Sequence, residues 1–455
     1  MDSGSSVRVV ESCLVTPSDD TPREGLWLSA LDLVLANRGH TPLVHFYSTA
    51  GASSDVADDF FNVARLKESM ARALVPFYPL AGRLGVDSGG RTEVNCNGEG
   101  ALFVVARSDH TLEDFVDPTP SPELRRLFGP RVHPSSIVLA VQVTFLRCGG
   151  VVLGTAVHHA VVDGASTFQF LRTWASYCRD GESAAVDPPC HHRVLLRARS
   201  PRVIHPETIP MFCNELIMHE QEPSSSTGTT TSTTVVTRIL TVSGDQLHAL
   251  KRLCGGASTF CAVTALVWRC VCVARPGLHP DSTTRINFPV DIRRRLTPPL
   301  PDRYFGNGVV NVFATAAVKD VVSQTLASVA GRVKAAADRV DDELLRSAVD
   351  YFEETASAAK QGMRRRAEDR GNLPETELRM NSWFRIPVHD ADFGWGQPRA
   401  MTRAEAVRGG WVYLLAASAD GSARVLISLE AATHHKFQQA VADVCQVLTT
   451  ERPKL

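Results

Sequence analysis

Apolar residues along this chain switch between two periods, and the switches predict alternating strands and helices. Residues 7–15 read as a strand, and then Val63, Leu66, Met70 and Leu74 recur at three- and four-residue spacing, the stripe of one helix face. Pro76 and Pro79 end that helix, because proline lacks the amide donor that the next turn needs. Further strands are predicted at 92–94, 102–106 and 137–145. Residues 151–157 are almost continuously apolar, the pattern of a strand covered on both faces. A helix over 166–178 follows, with Phe170, Leu171, Trp174 and Cys178 on one side.

The second half repeats the mixture. A strand is predicted at 235–242, helices at 244–253 and 261–274, a strand at 284–289 and a long helical zone over 318–359. Strands return at 410–417 and 424–429 before a closing helix over 434–448. Residues 224–234, SSSTGTTTSTT, offer nothing apolar to bury, and Pro188, Pro189, Pro201, Pro206 and Pro210 break the stretch before them. The chain therefore divides into a domain over 1–190, an exposed crossover over 191–235 and a domain over 236–455. The alternation predicts an α/β protein with two sheet-containing domains and no short internal repeat.

Composition narrows the class. With 455 residues the chain exceeds one comfortable core, and with 44% hydrophobic residues, 21% charged residues and a net charge of -1 it is a soluble globular type with no call for a polyanion. The runs Arg293-Arg294-Arg295 and Arg364-Arg365-Arg366 do not change this, so no nucleic-acid partner is expected. Asp2, Glu11, Asp19 and Asp20 interrupt the start of the chain, which lacks a secretory pattern. The most apolar long window, 262–274, is broken by Arg269 and is shorter than the roughly 20 residues that span a bilayer. Eleven scattered cysteines read as reduced thiols. Together these features predict a cytoplasmic protein that does not engage a membrane.

The chemistry concentrates in His158-His159-Ala160-Val161-Val162-Asp163-Gly164, where the buried strand gives way to a helix. A neutral imidazole with an unperturbed pKa of about 6.5 accepts a proton from an attacking hydroxyl or amine. The carboxylate four residues after His159 either orients the ring directly or pins the loop through an arginine, and spacing alone is compatible with both. Two other signals are weak. Asp87-Ser88-Gly89-Gly90 echoes a protease nucleophile loop without the supporting fold, and Cys190-His191-His192 lacks a second ligand pair for a metal.

His159, Asp163 and Gly164 form an HxxxDG signature, and Asp392-Phe393-Gly394-Trp395-Gly396 lies far downstream. With residues 74–84, LVPFYPLAGRL, and Tyr304-Phe305-Gly306-Asn307, these motifs fall in the order found in the plant BAHD acyltransferases, which the whole chain resembles. Residues 382–391, SWFRIPVHDA, are similar to the hydroxycinnamoyltransferase branch. The resemblance implies two similar-sized chloramphenicol-acetyltransferase-like domains, each a mixed sheet with helices, joined by a long crossover loop. It implies acyl transfer from a coenzyme A thioester, with the acyl-CoA a co-substrate and no metal or redox cofactor.

Carried over by position, the resemblance makes His159 the general base and has Trp383 face the acyl carbonyl. It makes Asp163 a structural partner of Arg293 and gives Gly164, Asp392, Gly394 and Trp395 supporting roles. Ser258 and Thr259 would approach the pantetheine arm, and the same two residues also suit a helix cap. In the branch that acylates shikimate, a threonine precedes the Ser-Trp pair and an upstream arginine grips the acceptor carboxylate. Here Asn381 stands at the threonine position, and Arg365 or Arg366 is the candidate handle. The expected partners are therefore a hydroxycinnamoyl-CoA donor and a small acceptor, an amine (putrescine, agmatine or an arylalkylamine) or an alcohol (shikimate, quinate or glycerol), bound by a monomer. The alternative is a catalytically silent acyl-CoA-binding homologue, against which the intact His159 and Trp383 argue.

Overall fold

The computed structural model describes residues 7–49, 59–212, 234–360, 372–405, 408–416 and 421–450. Arg365, Arg366, Cys213 and all but the last residue of the 224–234 stretch lie outside the described residues. In chain order the strands are β1 (Val7–Val15), β2 (Gly25–Trp27), β3 (His40–Tyr47), β4 (Arg83–Val86), β5 (Thr92–Asn95), β6 (Ala101–Ser108), β7 (Leu139–Leu146) and β8 (Val151–His158). The second half supplies β9 (Val235–Val242), β10 (Thr283–Asp291), β11 (Val309–Ala317), β12 (Glu377–Ser382), β13 (Ala400–Arg403), β14 (Trp411–Ala416) and β15 (Ala423–Glu430).

They form two six-stranded mixed sheets, β1-β6-β7-β8-β3-β13 and β11-β10-β12-β14-β15-β9, and a small sheet β2-β5-β4. Among the described strands, β6 pairs parallel with β7, β10 with β12 and β12 with β14. All eight residues of β8 are buried, because a strand central in its sheet with cover on both faces has no solvent side to which polar residues could turn. The helix Gly164–Asp180 lies on this sheet through Phe168, Phe170, Leu171 and Trp174, and the indole of Trp174 donates to Leu66 O at 3.0 Å on the helix Val63–Ala73. In the second sheet the helix Thr259–Ala274 is buried almost all round, and Trp268 donates to Thr284 Oγ1 at 3.1 Å.

One feature departs from a division of the chain at 191–235. β13 crosses back and pairs antiparallel with β3, Met401 opposite His45 and Arg403 opposite Leu43, so the second half completes the edge of the first sheet. Phe305, Val388, Phe393, Met401 and Tyr413 join the core of the first half. The halves thus share one apolar cluster, and the junction between them is tightly built.

Candidate active site

His159 sits immediately after β8, where the chain turns toward the helix Gly164–Asp180. Its backbone amide donates to Gly39 O at 2.9 Å. The neighbouring His158 turns the other way, accepting from Ala160 N at 3.2 Å and meeting the His40 ring edge-on at 4.9 Å. His159 keeps partial exposure, but its Nδ1 is enclosed without a hydrogen-bond partner on another of the described residues. Burial, then the cation Arg38, push its pKa down to about 4, against opposing effects of the residue's own backbone and of Asp163, with Arg403 a last, smaller push downward. The imidazole is therefore neutral at neutral pH, the form that accepts a proton.

Asp163 does not hold that ring. Its Oδ1 accepts from Ser166 N at 3.0 Å, capping the helix, and its Oδ2 accepts from Gly308 N at 3.0 Å. Arg293 Nη2 donates to both oxygens, at 3.0 and 2.9 Å. Despite burial that opposes ionisation, the arginine and the two backbone donors hold the carboxyl below the usual carboxylate range. Of the two geometries left open by spacing, the structure has the one in which arginine pins the loop.

Residues 304–308 of the second half wrap the motif. Asn307 Nδ2 donates to His159 O at 2.9 Å, Gly306 N donates to Ser166 Oγ at 3.1 Å, and Gly308 N reaches Asp163. Asn307 is held in turn by Asp32, and Asp32 by Arg193 at 2.9 Å. Sequence reasoning assigned no role to Asp32, Arg193, Asn307, Arg38 or Arg403. The 304–307 motif was the one signal that pointed to this loop.

Trp383 lies beside the same motif. A Cβ placed on Gly164 would stand 3.9 Å from Trp383 Nε1 and 3.2 Å from Ile386 Cδ1, so a side chain there would crowd the segment after β12. The Trp383 ring packs edge-on against Tyr413 at 5.5 Å and Phe168 at 6.4 Å. Asn381, opposite Tyr413 on β14, has a buried Nδ2 without a partner. The structure thus brings Trp383, from the second half, against Gly164 at the start of the helix that follows His159.

The remaining assigned residues have partners of their own. Ser258 is an exposed N-cap whose Oγ accepts from Cys261 N at 3.2 Å, and Thr259 opens the helix. Asp392 Oδ1 accepts from Gly394 N and Gly396 N, both at 2.9 Å, and folds its loop onto the first half. Phe393 meets Trp174 at 4.7 Å, Trp395 stacks on Phe61 at 5.1 Å, and Arg179 donates to Asp392 O at 3.2 Å. Arg179 is near the far end of the helix capped by Asp163, so at 1.5 Å per residue the loop stands about 24 Å from that cap. His191, from the cysteine-histidine cluster, contacts Pro76 O at 2.8 Å and packs on Tyr78.

Two mixed sheets meeting at a neutral histidine define a two-domain acyltransferase architecture. The Transferase family profile matches residues 5–444. Putrescine hydroxycinnamoyltransferase 1 of Oryza sativa subsp. japonica is 43% identical over 451 residues, covering 95% of this chain and 98% of the relative. Shikimate O-hydroxycinnamoyltransferase of Nicotiana tabacum is 36% identical over 451 residues, covering 96% and 99%. Vinorine synthase superposes with a TM-score of 0.70 at 22% identity over 94% of this chain and 96% of its own, a likeness of fold. The chain belongs to this transferase family, the BAHD acyltransferases, and is an acyl-CoA-dependent acyltransferase.

Proposed function

We propose that the chain transfers a hydroxycinnamoyl group from its coenzyme A thioester to the primary amine of a small acceptor, with His159 as general base. The identity of 43% to a putrescine hydroxycinnamoyltransferase, against 36% to a shikimate enzyme, supports an amine. The observation that carries the mechanism is the neutral His159, enclosed at Nδ1 and partly open elsewhere, between the two halves. With Nδ1 enclosed, Nε2 is the nitrogen available to the acceptor. It takes the acceptor proton as the nitrogen bonds to the thioester carbonyl carbon, and Trp383 Nε1 donates to the developing oxyanion. The intermediate then collapses, the C–S bond breaks, and the imidazolium returns the proton to the departing thiolate.

Arg38 and Arg403 beside the ring disfavour a third cation, so the acceptor amine reacts in its neutral form. Residues from both halves of one chain complete the site, which supports a monomer as the working unit. The ten described cysteines are free thiols, which supports a reducing, cytoplasmic compartment. Among the described residues no helix is long and apolar enough to cross a membrane.

The test is p-coumaroyl-CoA turnover with putrescine, agmatine, tryptamine, shikimate, quinate and glycerol, reading thiol release and product mass together. For an amine with a pKa of about 10, log kcat/KM rises with unit slope from near neutrality to about pH 9; an alcohol acceptor gives a flat profile there. Amide formation with that slope supports the proposal. Ester formation alone moves the acceptor to the alcohols, and thiol release without a conjugate rejects transfer.

A further inference from the structure

The His159 ring takes no hydrogen bond from another residue at Nδ1, so its aim is inherited from the main chain that carries it. That main chain is gripped from three sides. Gly39 O accepts from His159 N, Asn307 Nδ2 donates to His159 O at 2.9 Å, and Arg193 Nη2 donates to Val161 O. Asn307 is fixed by Asp32, whose Oδ1 accepts from Asn307 N at 3.1 Å and Nδ2 at 2.8 Å. Both neighbours of the Asn307 amide group are acceptors, so it must present its NH2 to them. Its Oδ1 is left buried without a partner, a cost that this orientation carries.

Asp32 is a fully buried carboxylate with four hydrogen-bond donors around it, Ser29 N and Oγ at 2.9 and 2.7 Å and the two Asn307 donors, and with the Arg193 guanidinium paired to it at 2.9 Å. Arg193 is itself 1% exposed, so neither ion of the pair gains from water what it gives up on burial. The four residues come from the first helix, the turn after β8, the crossover and the second half. Asn307 ends this chain of contacts on the His159 carbonyl, and Arg193 ends it two residues on, at Val161 O.

We propose that Asn307 and Asp32 are positioning residues that aim His159 by fixing the main chain that carries it, a role that rests on the reading of His159 as base. The Asn307 amide holds the His159 carbonyl, and with it the turn that keeps the ring enclosed at Nδ1. Its loss lets the turn relax and raises the pKa of the base. Misplacing a reacting group by about 1 Å costs on the order of 100-fold in rate, which sets the scale.

The experiment compares the full-length chain with Asn307→Ala, Asn307→Thr, Asp32→Asn and His159→Ala. For Asn307→Ala the expected result is a fall of about 10- to 100-fold in kcat, with KM for p-coumaroyl-CoA held within about threefold. The acid limb of its pH profile moves up from about 4, and Asn307→Thr, which keeps one donor, recovers part of kcat. On the unmodified chain, nitrogen-15 histidine spectra assigned by difference from His159→Ala should show the neutral tautomer protonated at Nδ1, a readout that does not depend on Asn307→Ala folding. A loss of kcat in Asn307→Ala that only follows its loss of folded protein, or the Nε2-protonated tautomer, overturns the inference. If His159→Ala stays active the base assignment itself falls, whereas an inactive His159→Ala beside a fully active Asn307→Ala rejects the positioning role alone.

Discussion

Arg293 and Asp163 meet at 2.9 Å across 130 positions of sequence, joining a loop of the second half to the N-cap of the helix that follows His159. Every hydrogen bond of that carboxylate runs to Arg293, Ser166 or Gly308. Asp163 therefore supports the site as a clasp, and Asp163→Ala leaves a buried guanidinium with only Asp291 at 3.5 Å as its carboxylate partner. The expected loss is about 3–5 kcal/mol of stability, read by urea or thermal unfolding. Asp163→Asn, which keeps a cap oxygen, should lose less. An Asp163→Ala protein that melts like the parent yet turns over no substrate would instead give the carboxylate a direct part in the chemistry.

Removing the base should separate activity from stability in the opposite way. His159→Ala takes away a buried nitrogen that has no partner on another residue, so little fold stability depends on it. Turnover should drop by roughly 10² to 10⁴ with an unchanged melting curve. Unchanged turnover would remove His159 from the mechanism.

Trp383→Phe keeps an aromatic ring against Phe168 and Tyr413 while deleting the indole donor. If that donor meets the oxyanion, kcat falls by about 100-fold while KM for the acyl-CoA stays near its parent value. A change in KM alone would make Trp383 a wall of the binding site.

Histidines set an acid limit to the fold. Burial is the leading cause in each case, lowering His45 to about 3 and His158, His159 and His191 to about 4. Their unfolded value is near 6.5, so between that pH and about 4 the unfolded chain binds protons that the folded chain refuses. Stability is thus fully present above pH 6.5 and falls below it, by about 1.4 kcal/mol per pH unit for each group. Melting temperatures from pH 8 to 5 should be level and then decline, before ordinary carboxylates titrate. A level curve down to pH 5 would show that these rings are protonated in the folded state.

How far the chain could be read in advance depended on where the physical cause of each element lay. β8 was legible because cover on both faces leaves only apolar residues, and the helix Gly244–Leu253 because Ser243 and Gln246 form a capping box. β3 was not, since His40, Pro42 and His45 break its pattern, and its burial comes from β8 and β13 on either side. β12 carries Glu377 and Arg379 inside the sheet, made tolerable by Arg285 and Asn311 on neighbouring strands. β11 did show alternation, with every second residue buried, and was passed over. The zone at 318–359 is three helices, Val318–Ser323, Leu326–Asp338 and Asp342–Lys360, with Thr325 capping the second.

The site divided in the same way. His159, Asp163 and Gly164 are neighbours in sequence, so their motif was visible. Asp32, Arg193 and Asn307 take their meaning from contacts across more than a hundred residues, which no local pattern records. Ser258 was legible as a helix cap from local sequence alone, and its hydroxyl does accept from Cys261 N.

Gly394 offers the sharpest separation of architecture from chemistry. Its φ of +102° lies in a region that L side chains rarely adopt, and an added Cβ would stand 3.2 Å from Arg65 Nη2 and 3.4 Å from Arg179 Cα. Gly394→Ala should therefore cost about 1–3 kcal/mol of stability. The loop packs on the first half through Phe393 and Trp395, at the end of the helix remote from Asp163, so the strain has no short route to His159. Turnover per folded molecule should match the parent, measured as kcat normalised to the folded fraction at a temperature below both melts. A large fall in that normalised kcat would mean that the clasp between the halves sets the geometry of the base as well as the stability of the fold.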